Sequence, residues 1–373
     1  DLPPTTMTTK RRKREPSKGR YTICFALIFA FYAGFNISQS FFATTTAPQD
    51  TVTISGLWDL SLSPSYTSSN NNNNNNNFQL AYDQSFGFFT DISNESWKRL
   101  QQRARTRINH ALKFNQNPIK FYNWQPSQWY MNNMEPDFTC LHERRIRGPG
   151  DGPKWVCDPH RLEQVSALRQ KAEGESCLIY SVGSGGKWEF EDGIYDFFGN
   201  NSQVCEIHVF DPGNFEKLRD INLAERNIHF HKWGLKSSYD DTYKPNVNYG
   251  EFFSLAETLQ RLNHTKRTID IFKIDCESCE WYSWKDWIRA DIRQLLVETH
   301  DLPPNPVQGL DFFYGLQRAG FYMFHKEPNI HPKAAGNGIE WAYIRLSPSF
   351  FGTGVPNYDE SFVKNHEIYK KYS

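Results

Sequence analysis

The chain has no surplus of charge: Lys and Arg total 42, Asp and Glu total 42, and the formal net charge is zero. Holding nucleic acid through its phosphates needs a basic footprint, so no nucleic-acid partner is expected. No repeat of roughly 20–50 residues occurs, which excludes solenoids and propellers. Asp-x-Asp is absent from the sequence. That argues against a glycosyltransferase with a metal-bound nucleotide sugar, the rival reading for a chain with the features below. There is one Cys-x-x-C, Cys276–Cys279, and no second to complete a zinc site. A thioredoxin-like redox role for it would need a much smaller fold, so a packing or structural link is the expectation. A long clean hydrophobic run is also lacking. Tyr21–Phe35 would span only ~22 Å as a helix, short of a ~30 Å hydrocarbon core.

What is present begins with an address. Lys10, Arg11, Arg12, Lys13, Arg14, Lys18 and Arg20 precede that apolar run. Extended to Ala43 it reaches ~34 Å, at the expense of including Asn36, Ser38, Gln39 and Ser40. Residues 1–20 then read as a basic cytosolic tail and 21–43 as a signal-anchor transmembrane helix, with a luminal body of type II topology in the Golgi or endoplasmic reticulum. A cleaved presequence is the alternative, although no clear small-x-small site precedes Thr44. Seven cysteines occur. Cys24 lies in the apolar run. The other six (Cys140, Cys157, Cys177, Cys205, Cys276, Cys279) suit an oxidising compartment, with fifteen connectivities left open. In a reducing compartment they would be small apolar fillers. Asn94, Asn200 and Asn263 head glycosylation tripeptides.

Residues 44–92, with the eight-asparagine tract Asn70–Asn77, read as a disordered stem. Residues 93–154 read as a helical and irregular pre-domain. Trp97, Leu100, Ala104, Ile108 and Leu112 recur at helical spacing over 94–114. The opposite face, with Lys98, Arg103, Arg105 and Arg107, reads as solvated. Residues 155–347 form the main domain and 348–373 a C-terminal tail. In the main domain a helix is expected over 159–172, then strands at Cys177–Val182, Glu206–Phe210, Ile228–Trp233, Ile269–Ile274, Gln294–Glu298, Phe321–Phe324 and Trp341–Leu346. Helices fit near 188–198, 214–224, 252–262, 280–289 and 308–319. This alternation predicts an α/β, Rossmann-like, seven-stranded and mostly parallel sheet whose last strand is antiparallel.

Chemistry-bearing residues gather at strand ends, where open α/β sheets bind ligands. The first strand runs into Gly183-Ser184-Gly185-Gly186, a turn that lets backbone approach a ligand. Asp211 closes the second strand and suits either ribose hydroxyls or a helix N-cap. Asp275, Glu277 and Glu280 follow the fourth strand. They can orient an acceptor hydroxyl, act as a base or hold a cation, and Asp and Glu also favour a helix start. His300 ends the fifth strand and is a candidate base. His331 and Glu340 belong to a 327–340 loop that reads as a lid or a solvated hairpin.

Together these motifs resemble the methyltransferase-like protein 24 family. The likeness rests on Cys177–Gly186, Trp188-Glu-Phe-Glu191, Val209–Pro212 and Lys273–Trp281, within about 137–347. The Lys-Ile-Asp-x-Glu-x-x-Glu element is also similar to FkbM-type O-methyltransferases. The resemblance implies S-adenosyl-L-methionine as methyl donor. Gly183, Gly185 and Gly186 would flank its methionine part, Asp211 the ribose, Trp233-Gly234-Leu235 the adenine and Asp275 the sulfonium. Two departures stand out: Tyr180-Ser181 replaces the usual first-strand carboxylate, and Ser278 replaces the FkbM-type glycine. A small-molecule or glycan acceptor and membrane attachment through the N-terminal helix complete the expectation. No metal is assigned. A methyltransferase-fold binding module without turnover is the third reading.

Overall fold

The computed structural model describes residues 77–114, 131, 134–215, 223–301, 306–329 and 338–351. The chain divides into two units, Asp1–Ser69 and Asn70–Ser373, and every described residue belongs to the second. The anchor expected at 21–43, most of the stem, and His331 lie outside the described residues. Among those described, no helix is long and apolar enough to cross a membrane.

The elements run α1 (Gln79–Gln84), α2 (Asn94–Phe114), β1 (Arg144–Arg145), β2 (Trp155–Val156), α3 (His160–Glu173), β3 (Cys177–Val182), α4 (Glu189–Phe197), β4 (Cys205–Phe210) and β5 (Ile228–His231). They continue with β6 (Trp233–Leu235), β7 (Glu251–Phe253), α5 (Leu255–Arg261), β8 (Ile269–Ile274), α6 (Glu280–Trp287), β9 (Ile292–His300), α7 (Pro306–Arg318), β10 (Phe321–Pro328) and β11 (Gly338–Arg345).

One seven-stranded sheet has the order β10-β11-β9-β8-β3-β4-β5. The five strands from β9 to β5 are parallel, and β11 pairs antiparallel with both β9 and β10. From β3 the chain moves outward through β4 and β5, then returns to place β8 on the other side of β3. The strand order therefore reverses between β3 and β8, and a crevice opens at their carboxyl ends.

A parallel sheet covered on both faces needs apolar side chains in both phases of the strand. All six residues of β3 are buried. Cys177 and Ile179 join one core, which includes Leu162, Phe190, Ile207 and Ile271. Leu178, Tyr180 and Val182 join the other, with Phe272, Trp281, Trp287 and Phe312. Each large apolar side chain so buried contributes ~1.5–3 kcal/mol. Helix ends are set locally: α5 opens with a Ser254/Glu257 capping box, and α3 closes on Gly174 at φ 74°.

Several expectations change. Residues 77–92, read as stem, are folded: α1 lies here, and Ala81, Phe88, Phe89 and Ile92 are buried. The neighbouring asparagine tract hid this apolar cluster. Residues 93–154 are not a separate pre-domain, because Trp97, Phe138 and Ile146 share the first core with the sheet. Nor is the tail wholly outside. Phe350 is fully buried, with its ring 5.3 Å from that of Trp97. The strand expected over Ile228–Trp233 stops at His231, and Trp233–Leu235 leaves the sheet to pair with β7. Of the helix near 214–224, residues 216–222 lie outside the described set, and Leu223–Arg226 is a 3-10 turn. The basic face of α2 is exposed at Lys98, Arg103, Arg105 and Arg107, as read.

The six cysteines form Cys140–Cys157, Cys177–Cys205 and Cys276–Cys279. The first ties the irregular stretch to the start of the main domain. The second joins in-register residues at the starts of β3 and β4. The third closes the four-residue turn after β8. Peptide mapping under non-reducing conditions should recover these pairs, and any other connectivity contradicts the fold. Cys140→Ser should lower stability by ~2–4 kcal/mol in denaturant titration.

Candidate active site

The tips of β3, β4 and β8 are joined by backbone. Gly183 N donates to Phe210 O at 2.8 Å and Asp275 N donates to Val182 O at 3.1 Å. Gly183 has φ 75°, and a Cβ there would lie 1.6 Å from the Asp275 carbonyl oxygen. Only glycine fits that crossing. Lys273, buried in β8, donates from Nζ to Gly183 O at 3.0 Å. Gly185 differs: its φ is 55°, and a Cβ would meet nothing within 4 Å. The turn presents bare backbone to open space there.

Asp211 anchors this turn. Its Oδ2 accepts from Gly185 N at 2.8 Å and from Ser184 Oγ at 3.4 Å, and its Oδ1 accepts from Gly213 N at 2.8 Å. The cap-like contact and the loop contact use different oxygens. A carboxylate oxygen has two acceptor positions, so Oδ1 keeps one for a further donor.

Beneath these strand ends lies a cleft of about 940 Å³. Gly183, Ser184, Gly185, Asp211, Gly234, Asp275, Glu277 and His300 all line it. Three other predicted residues do not. Gly186 lies behind the turn, with its N–H donating to Ser184 Oγ. Trp233 packs its ring on Phe210 and His231, leaving Gly234 and Leu235 to face the cleft. Glu280 is fully buried at the start of α6 and accepts from His300 N at 2.6 Å. It holds His300 from behind and does not meet a ligand. Glu277 sits at the rim with a largely exposed side chain and φ 53°.

The electrostatics change the role expected of His300. Burial alone would depress its imidazole. Hydrogen bonding to Glu280, with Asp275 and Glu298 nearby, outweighs burial and pushes it up to about 10. His300 is therefore a cation at neutral pH and a poor base. Its Nε2 lies 3.6 Å from Asp275 Oδ1.

Four residues with central places were not singled out from the sequence. Lys154, 2% exposed, directs Nζ at Glu298 Oε2 (3.0 Å), at Glu340 Oε1, and at Asp275 Oδ2 (3.7 Å). Burial opposes its charge, but Glu340, Glu298 and Asp275 together hold it well above the usual lysine range. Burial pushes Glu340 well up, whereas Lys154 overrides burial at Glu298 and holds it low. Glu340 is neither lid nor solvated hairpin; it is a buried residue of β11. Asp275, Glu298 and His300 lie close enough to share a cation. Lys154 and the protonated His300 already supply positive charge among these carboxylates. The alternation Glu298-x-His300 at a strand end was the available signal, since period two puts both on one face. The other two residues are Glu189 and Glu191 in the first turn of α4. Both line the cleft, and Glu189 Oε2 and Glu191 Oε1 are buried without a hydrogen-bond partner.

A family model described as a methyltransferase domain matches residues 79–345. The chain belongs to this methyltransferase family, with methyltransferase-like protein 24 as the particular resemblance among curated proteins. The human protein named "Probable methyltransferase-like protein 24" is 29% identical over 200 residues, covering 48% of this chain and 49% of that protein. The rat protein of the same name is 29% identical over 198 residues, again 48% and 49%. The chain thus spans about half the length of the curated relatives it matches. Among solved structures, a Methanococcus jannaschii fibrillarin pre-rRNA processing protein aligns over 55% of this chain and 83% of its own, at 8% identity and TM-score 0.30. A Burkholderia thailandensis 1,6-didemethyltoxoflavin-N1-methyltransferase, solved with 1,6-didemethyltoxoflavin and S-adenosylhomocysteine, aligns over 57% and 100%, at 11% identity and TM-score 0.27.

Imidazole NMR should show His300 still protonated at pH 8, and a midpoint below 7 contradicts the site. Because its folded pKa is raised, the stabilisation from His300 is complete below about 6.5 and is lost as pH rises through about 10. Gly183→Ala should cost well over ~1 kcal/mol in denaturant titration, and unchanged stability contradicts the crossing with Asp275.

Proposed function

We propose that the cleft binds S-adenosyl-L-methionine and serves methyl transfer to the hydroxyl of a small-molecule or glycan acceptor. The observation that carries this reading is the convergence of Gly185, Asp211 and Asp275 on one cleft at the reversal of strand order. The donor set fits. Open backbone at Gly185 admits a close ligand, and Asp211 Oδ1 keeps acceptor capacity for a ribose hydroxyl. The unpartnered oxygens of Glu189 and Glu191 suit the ammonium end of a methionine. They supply, from the helix after the turn, the negative charge that Tyr180-Ser181 does not. Tyr180 instead directs its hydroxyl at His264 Nδ1, 2.7 Å away.

Bound S-adenosyl-L-methionine would supply a methyl group already activated on a sulfonium. The protein's task is then alignment and proton removal. Asp275, at the tip of β8, is the residue placed to accept the acceptor's hydroxyl proton as the O–CH3 bond forms. The His300 cation and Lys154 hold its carboxylate from two sides. Gly234 and Leu235 form the wall for an adenine.

The reading extends to a luminal body behind an anchor at 21–43. Three disulfides support an oxidising compartment. Asn200 and Asn263, both exposed, would then carry glycans. A binding module without turnover is the second reading, favoured by the raised pKa of His300, which removes from service as a base the imidazole that lines the cleft among the described residues.

Calorimetry with S-adenosyl-L-methionine and with a nucleotide sugar tests the choice, and saturable binding of only the sugar nucleotide overturns it. Asp211→Ala should weaken donor binding by about 1–3 kcal/mol. Glu191→Gln should weaken binding of S-adenosyl-L-methionine and leave adenosine unaffected. Donor binding without release of S-adenosylhomocysteine for every member of a glycan and metabolite panel would favour the second reading.

A further inference from the structure

A second constellation lies toward the amino end of β4, outside the cleft. Residues two apart on a strand share a face, so Glu206 and His208 project together from β4, and His229 and His231 from β5. The strands are parallel and in register, with His208 directly opposite His229. Their rings stack with centroids 4.8 Å apart and planes at 24°. One ligand atom each from Glu206, His208 and His229 lies within 4.8 Å of the others. The backbone itself produces this grouping.

We infer that Glu206, His208 and His229 form a binding site for a zinc-class divalent cation at the edge of the sheet. Two imidazoles and one carboxylate, with a fourth position left to water, are a donor set that zinc accepts. Glu206 Oε1 and His208 Nε2 are 2.8 Å apart. Tetrahedral ligands at ~2.0–2.2 Å from zinc sit ~3.3 Å apart, so this pair needs only to open slightly. His229 is exposed, which gives an entry path and the freedom to close on the ion.

Metal ligands are normally oriented by partners on their other polar atom, and each of these three has one. His208 Nδ1 lies 2.8 Å from His231 Nε2. His208 Nε2 and Glu206 Oε1 share a proton across 2.8 Å, which an arriving cation would displace while Nδ1–H donates to His231. Arg267 donates to Glu206 Oε2 at 2.6 Å, so Oε1, which pairs with His208 Nε2, is the oxygen that would turn to an ion. Glu175, 3.2 Å from Arg267, offsets the guanidinium charge. His229 Nε2 lies 3.1 Å from Asn227 Oδ1, so Nε2–H donates outward and Nδ1 is available.

The test is zinc titration of the purified, oxidised full chain after chelator treatment and dialysis, read by calorimetry and by metal analysis. One equivalent should bind. His229→Ala and Glu206→Gln should each weaken it at least tenfold, and Asp275→Asn should leave it bound. Cobalt in place of zinc should give the intense visible band of a four-coordinate site, lost in His229→Ala. Absence of zinc binding overturns the proposal. So does binding that survives His229→Ala, or binding lost only with Asp275→Asn, which would put the ion in the cleft. His229 is exposed and its loss spares the core, so unchanged thermal unfolding of the metal-free variant serves as the folding control.

Discussion

The ammonium of Lys154 is the cation on which the cleft's geometry turns. It is almost wholly buried, and its three carboxylate neighbours come from different places: Asp275 after β8, Glu298 on β9 and Glu340 on β11. An ammonium stripped of water needs such partners, and losing one leaves a buried charge uncompensated at about 3–5 kcal/mol. Lys154 therefore fastens the segment before β2 onto the edge of the cleft. It also shapes its neighbours: burial pushes Glu340 up, whereas Lys154 holds Glu298 low and lies beside Asp275. His300, clamped from behind by Glu280, supplies the second positive charge. The carboxylates at the strand tips can coexist because these two cations stand among them.

On the other wall, bare backbone stands at the turn after β3. Gly183 lets β3 and β8 touch, and Asp211 pins the turn by accepting its N–H groups. This leaves Gly185 bare to the cleft and Glu189 and Glu191 with unmatched oxygens. One side of the cleft is thus preorganised by paired charge, and the other joins bare backbone to unmatched carboxylate oxygens. A zwitterionic nucleoside with a cationic centre complements both.

Much of this was readable in order along the chain. β3 and β8 match their expected bounds, because both are short, mostly apolar runs rich in β-branched and aromatic residues. The reversed last strand followed from a loop too short for a helix. Gly183, Asp211 and Asp275 were legible because strand ends in such sheets concentrate chemistry. What stayed hidden depended on distance in sequence. Lys154 meets Glu340 across 186 residues, and no local pattern announces that pairing. Phe88 and Phe89 were masked by the asparagine tract beside them. His300 reads as a base by residue type, and only its surroundings make it a cation. Glu280 shares spacing with Asp275 and Glu277, yet the first turn of α6 carries it inward. The histidines of β4 and β5 fall in a shared register that only sheet pairing brings about.

The most direct measurement is a crystal structure of the protein soaked with S-adenosylhomocysteine. The account predicts the ribose within hydrogen-bond reach of Asp211, the sulfur beside Asp275 and the amino group against Glu191. Ligand density in any other hollow, or an adenosyl group that leaves Asp211 and Asp275 untouched, would contradict it.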